Sequence, residues 1–432
     1  MAPRNWLTAV VADEQGQIID LQGYAAVGAD GPLRVPLAIA HSSLLPHGGE
    51  LMYLPDRRPV VWDIERQRCV VLSENPHAPG ERVFPVAAFN SPGYVIAYTS
   101  AYEEAPGAGF LPLFSYAAVG WSRGRFRSPV ILVDDEPRQD LRQMPRDRIL
   151  SGIKRLRKKL PDNRLRAHLE KCALTYGCPA GKNFFLGRYE APLPTATTCN
   201  ARCLGCISLQ SEGRMPSSQN RIDFTPSPEE IAQVALAHID RAPEAVVSFG
   251  QGCEGDPLMA ADTIAAAVRR IRSATDQGTI NVNTNGSLPE KVALLLDAGV
   301  NSLRISMNSV RPEYYSAYFR PRGYRFLDVL HSIDLAIERG THVAVNYLNC
   351  PGFTDTAEER DALFDFLRHH PLHMIQWRNL NYDPVRYLAA MNRVAAHGPP
   401  IGVRTLLEQI LRLFPKLAYG YFNPPKERYR QG

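Results

Sequence analysis

No stretch of this 432-residue sequence approaches the roughly 18 consecutive apolar residues that a membrane-crossing helix needs. The opening segment, MAPRNWLTAVVADEQ, has no uninterrupted apolar core of the kind a secretory signal requires, because Asp13 and Glu14 stand inside it. The expectation is a cytoplasmic protein with no membrane partner. Charge of one sign is also scarce: 49 Lys+Arg against 44 Asp+Glu leave a net charge of +5, too little to announce a nucleic-acid partner. With 45% apolar and 22% charged residues, the chain is neither wholly disordered nor fibrous. Its length allows two or three domains. Cysteine is sparse, with 8 in all, yet Cys199, Cys203 and Cys206 crowd into one short segment. In a long chain without a secretory signal, such clustering reads as metal binding rather than a disulfide framework.

Residues 1–140 carry short apolar runs at 7–11, 18–21, 60–62, 94–98 and 130–133, separated by turn-forming clusters such as GADGPL and ENPHAPGE. This spacing predicts a β-rich domain. Residues 141–190 form a basic helical linker. Within it Ile149, Ile153, Leu156 and Leu160 share one helical face. The run of Arg and Lys over 142–171 reads first as a solvated face, and alternatively as a patch for an acidic partner such as RNA. From 191 to 385 strands and helices alternate. Strands are expected at 192–198, 245–249, 280–283, 303–307, 342–347 and 374–378, with helices between them. Ser227, Pro228 and Glu230 spell the start of the first of these helices, and Gly299 and Gly340 stop later ones. Six βα units imply an α/β fold, a partial (β/α)6 TIM barrel, with its chemistry at the C-terminal strand ends. Residues 386–432 read as a helical extension and a polar tail.

The triplet Cys199-x3-Cys203-x2-Cys206 falls in the loop after the first barrel strand. Three thiolates can hold three corners of a [4Fe–4S] cube and leave the fourth iron without a protein ligand, open to substrate or cofactor. Gly205 lets the loop fold tightly there. Spacing and position resemble the radical S-adenosylmethionine (radical SAM) superfamily, and the QWRNLNYDP segment resembles its activase-like members. The resemblance implies a [4Fe–4S] cluster whose open iron is chelated by the amino and carboxylate groups of S-adenosyl-L-methionine (SAM). It implies reductive cleavage to methionine and a 5′-deoxyadenosyl radical, with electrons from a donor such as flavodoxin or ferredoxin. Cys199, Cys203 and Cys206 become the catalytic, metal-binding residues.

The segment Gly250-Gln251-Gly252-Cys253-Glu254-Gly255-Asp256-Pro257 spells G-x-G-x-x-G, but the next strand ends in Asn283-Thr284-Asn285 with no acid for a ribose. That argues against a dinucleotide fingerprint. The segment is similar instead to the superfamily's glycine motif. By that resemblance Gly252, Glu254, Gly255 and Asp256 approach SAM, with either acid able to receive its ammonium group. Asn283, Asn285, Arg304, Ser306, Asn346 and Arg378, near the ends of later strands, are expected to contact the rest of it. Each is equally readable as a satisfied barrel-lining polar residue.

Cys172, Cys178, Cys253 and Cys350 could supply an auxiliary cluster, or serve as small buried hydrophobes. No cysteine-rich C-terminal extension of the SPASM or twitch type is evident, and no cobalamin domain. A protein or peptide substrate is favoured for an open barrel, and RNA is the alternative. A reading of another class, a zinc-stabilised nucleic-acid-binding protein, requires a second ligand pair that the sequence does not show.

Overall fold

The computed structural model describes residues 6–210 and 212–429. The N-terminal region up to Leu132 is β-rich, as the turn spacing predicts. A 12-stranded sheet is organised on the long strand Ile18–Asp30, which pairs antiparallel with Thr8–Ala12, Leu33–Pro36, Arg57–Asp63 and Thr99–Ser100. Two small two-stranded sheets flank it.

The linker region is three helices, Arg146–Lys159, Arg164–Leu174 and Pro179–Leu186. Ile149, Ile153, Leu156 and Leu160 are all buried, as their spacing predicts. Close packing at Gly152 leaves no room for a side chain against the Phe185 carbonyl. Arg157 and the buried Arg166 pair with Glu170, Arg164 with Glu230 and Lys159 with Asp240, while Arg146, Arg148, Lys154, Lys158 and Lys171 are exposed.

The barrel is a seven-stranded, all-parallel sheet in sequential order: Glu190–Pro192, Val246–Phe249, Thr279–Thr284, Ser302–Met307, His342–Asn349, Met374–Asn379 and Ala418–Gly420. The crossovers include the helices Pro228–Ile239, Ala261–Ala274, Pro289–Ala298, Phe326–Glu338, Ala357–His369 and Val403–Leu413. Ser227 and Glu230 form the expected capping box, each side chain accepting from the other's backbone N–H. Gly299 closes its helix with a left-handed φ of 114°.

Two expectations need correction. The barrel does not end at 385: the helix Val403–Leu413 leads into a seventh strand that pairs with Met374–Gln376. After it, Tyr421, Phe422 and Asn423 turn under the sheet, where Gln376 Nε2 donates to the Phe422 carbonyl at 2.9 Å. The first strand, Glu190–Pro192, also lies ahead of the expected 192–198 and shares only Pro192 with it. Beyond Leu193, the amides of Thr195 and Ala196 donate to Glu254 at 2.7 and 2.9 Å instead of joining the ladder.

The N-terminal domain rests on the C-terminal ends of the fifth and sixth barrel strands. Asn349 and Asn379 donate from their side-chain amides to the Ile96 and Tyr94 carbonyls at 2.9 and 2.8 Å. Arg57 forms a buried ion pair with Asp383 at 3.2 Å, just beyond the sixth strand. The barrel's side walls are thereby fixed, and its mouth is bordered by a second domain.

Candidate active site

The cysteine loop is positioned from three sides. Its backbone is hung on the short helix Pro312–Phe319, whose last carbonyls accept from Arg202 and Leu204 at 2.9 and 3.0 Å. Asn381, after the sixth strand, donates to the Gly205 carbonyl at 3.0 Å. Asn200 donates to Ser287 and accepts from Asn285, both at 2.8 Å. Gly205 sits where a Cβ would press on the Tyr318 hydroxyl and the Asn381 amide.

The three thiols stand close enough to repel one another as anions. Burial, with Asp256 and Cys206 adding repulsion, pushes Cys199 up to about 12. Burial and its two neighbouring thiols raise Cys203 as well. Their hydrogen bonds are few and weak: Ala201 N–H donates to Cys199 Sγ at 3.4 Å, and Arg221 reaches Cys206 Sγ at 3.7 Å. Three converging thiols with little protein satisfaction are a donor set for a soft metal cluster, which would deprotonate them on binding.

The glycine loop is built around Glu254, which is buried. One carboxylate oxygen accepts from Thr195 and Ala196; the other accepts from Gly250 and Gln251, both at 2.7 Å. Four amides occupy the roughly four acceptor positions of a carboxylate. Glu254 therefore ties the start of the cysteine loop to the glycine loop. Asp256 accepts from Leu258 N–H, the Thr284 hydroxyl and Asn285 N–H at 3.0, 2.7 and 2.7 Å, tying the loop to the third strand. Gly250, at φ +78°, lies against the Asn283 carbonyl, and Gly255 against that of Thr198; neither position admits a Cβ. Gly252 faces Ile207 and Gln219.

Asn283 donates to the Phe249 carbonyl at 2.8 Å. Further along the inner wall, Ser306 and Asn346 are register partners. Asn346 accepts from Arg378 at 2.9 Å, and Arg378 stacks on Tyr421 at 3.5 Å. Arg304 donates to Gln376 at 2.7 Å. Its Nε is buried without a partner, and burial beside Arg378 lowers the guanidinium to about 9. An unspent donor inside the barrel fits an anionic group of a bound ligand. Cys350 does not join Cys172, Cys178 and Cys253: its Sγ lies 3.8 Å from the Pro351 carbonyl, near Asp355 and Asp30. The four-cysteine auxiliary set is thereby corrected.

Residues 193–367 match the family model described as Radical SAM superfamily. The likeness to the radical SAM superfamily covers this stretch of the chain. The matched stretch holds the cysteine triplet, the glycine loop and strands two to five. Radical SAM proteins use a [4Fe–4S] cluster and SAM, and the triplet fits that cluster. Among curated relatives, this chain is 27% identical over 191 residues to GTP 3′,8-cyclase of Limosilactobacillus fermentum, covering 43% of this chain and 52% of that protein. It is 28% identical over 234 residues to the mitochondrial GTP 3′,8-cyclase of Arabidopsis thaliana, covering 50% and 55%. The chain thus spans about half the length of these radical SAM relatives. Among solved structures, methylornithine synthase matches with a TM-score of 0.39 and 16% identity over 63% of this chain and 77% of that one.

Tyr318, Asn381 and Arg221 were not reached from the sequence. The spacing of Tyr314, Tyr315, Tyr318 and Phe319 in PEYYSAYF was the available sign of the helix Pro312–Phe319.

Proposed function

We propose that this chain is a radical SAM enzyme that cleaves SAM reductively at a [4Fe–4S] cluster held by Cys199, Cys203 and Cys206. The observation that carries the reading is the convergence of these three thiols at the C-terminal face of a parallel half-barrel. When bound, the cluster and SAM supply a one-electron scission of the sulfonium that yields methionine and a 5′-deoxyadenosyl radical. The chain's own work is positional. Glu254 and Asp256 hold the glycine loop with its backbone turned to the cofactor. That loop's carbonyls are candidate acceptors for the methionyl ammonium. Arg304, with a free Nε, is the candidate for the carboxylate. Ser306, Asn346 and Arg378 line the wall where the adenosyl part would lie. The electron enters from a small donor protein, flavodoxin or ferredoxin.

For the substrate, the earlier preference for a protein or peptide gains no support. The curated relatives bear a nucleotide in their names, and the space beside the triplet is rimmed by Arg202 and Arg221, with Arg214 and Arg320 paired to Glu212. That rim favours an anionic small molecule of the nucleotide class. Its test is anaerobic turnover of reconstituted protein with dithionite and SAM. Release of 5′-deoxyadenosine should depend on Cys203 and rise with GTP. Release that Cys203→Ala leaves intact would overturn the cluster assignment. Release stimulated by peptides or RNA and indifferent to nucleotides would overturn the substrate class alone.

No helix among the described residues is long and apolar enough to cross a membrane.

A further inference from the structure

A second set of soft ligands lies outside the triplet. His168 and Cys172 are four residues apart on the helix Arg164–Leu174 and so share a face. Cys253 comes from the glycine loop. One ligand atom from each lies within 4.8 Å of the others. Both cysteines are buried, and the Nε2 atom of His168 is buried with no hydrogen-bond partner. Cys178 stands beside them, its N–H donating to the Cys172 carbonyl at 3.0 Å. None of these side chains has work in the cofactor site described above.

The geometry selects a kind of metal. In a tetrahedral site with metal–sulfur bonds of about 2.3 Å and metal–nitrogen bonds of about 2.0 Å, ligand atoms sit roughly 3.5–3.8 Å apart. A trio already within 4.8 Å reaches that spacing by small side-chain rotations. An iron–sulfur cube would spread its thiolates over separate irons and push them further apart. Thiolate with imidazole is the donor set of zinc, or of ferrous iron in its place.

We propose that His168, Cys172 and Cys253 form a second, mononuclear site for a soft divalent cation of the zinc type, its fourth position filled by water or by a rotated Cys178 side chain. Binding releases the protons of the Cys172 and Cys253 thiols and, if it joins, that of Cys178. The ion clips the helix Arg164–Leu174 to the loop that continues into Glu254. Its role is therefore to brace the floor of the cofactor site from outside the barrel.

The test separates this site from the catalytic cluster. The full-length chain carrying Cys199→Ser, Cys203→Ser and Cys206→Ser is stripped with chelator under anaerobic conditions and titrated with cobalt. The site should bind one ion per chain, with sulfur-to-cobalt charge-transfer bands and intense tetrahedral d–d bands that zinc abolishes. Replacing His168 with Gln should weaken binding about tenfold or more, and Cys172→Ser should remove most of the charge-transfer intensity. Zinc X-ray absorption on the same protein should report one nitrogen and two or three sulfurs. Absent saturable binding, an oxygen-dominated shell, or bands unchanged by Cys172→Ser would overturn the proposal. So would a Cys172–Cys253 disulfide in freshly isolated protein. Because the triplet is absent throughout, none of these outcomes bears on the catalytic reading.

Discussion

Replacing Glu254 with Gln discriminates between two roles for this carboxylate. In the native protein it accepts from four backbone N–H groups, of Thr195, Ala196, Gly250 and Gln251, at 2.7–2.9 Å. A Gln side chain presents one oxygen and one NH2. Whichever way it turns, two buried amides face a donor. An unsatisfied buried donor costs about 1–3 kcal/mol, so the pair costs roughly 2–6 kcal/mol, less if the loop opens to water. That is a large share of the about 5–15 kcal/mol that holds a domain together. The loss belongs to the protein itself and needs neither cluster nor SAM. Urea unfolding of the cluster-free protein, followed by circular dichroism, should therefore show a lower midpoint for Glu254→Gln. SAM binding should weaken as a consequence of the loosened loop. A variant that unfolds at the wild-type midpoint but no longer binds SAM would refute the reasoning and make Glu254 a direct ligand of the ammonium group.

Other outcomes follow from the same geometry. Cys203→Ala should lose cluster iron and 5′-deoxyadenosine formation together, measured by iron assay and chromatography after anaerobic reconstitution. Asp383→Ala removes one of the two carboxylates on the buried Arg57 guanidinium, whose side chain is 2% exposed, and leaves Glu104 as the other; it should cost about 1–3 kcal/mol and speed proteolytic release of the N-terminal domain. Asp30 and Asp355 meet at the domain interface, where burial and mutual repulsion raise the proton affinity of the pair above the ordinary carboxylate range. The stability they contribute is complete in acid, below the unfolded carboxylate range, and falls as pH climbs through the raised folded values toward neutrality and beyond. Asp30→Asn should flatten that decline in a melting-temperature profile against pH. Gly255→Ala places a Cβ on the Thr198 carbonyl and should lower both stability and cluster retention, read by melting temperature and iron content.

The sequence was most legible where one local rule decided the outcome. The capping box at Ser227 and Glu230, the stop at Gly299 and the buried stripe from Ile149 to Leu160 each follow from spacing within a single helix. The triplet was legible because its cysteines are close in sequence and their chemistry is narrow. Tertiary competition was not legible. The first strand lies ahead of its expected span because Glu254, some sixty residues away, takes the amides of Thr195 and Ala196. The seventh strand, Ala418–Gly420, is three residues long and becomes a strand only because the edge of the sixth is open to it. The partnership of His168 and Cys172 with Cys253 depends on packing a linker helix against the barrel, and no periodicity reports that. The ligand trio emerged only once both elements were in place.

The most direct test of the central claim is electron paramagnetic resonance of the anaerobic, reduced protein with and without SAM. The expected result is a [4Fe–4S] signal whose g-values shift when SAM is added and which disappears in Cys203→Ala. A protein that assembles no such cluster, or one whose signal SAM leaves unmoved, would contradict it.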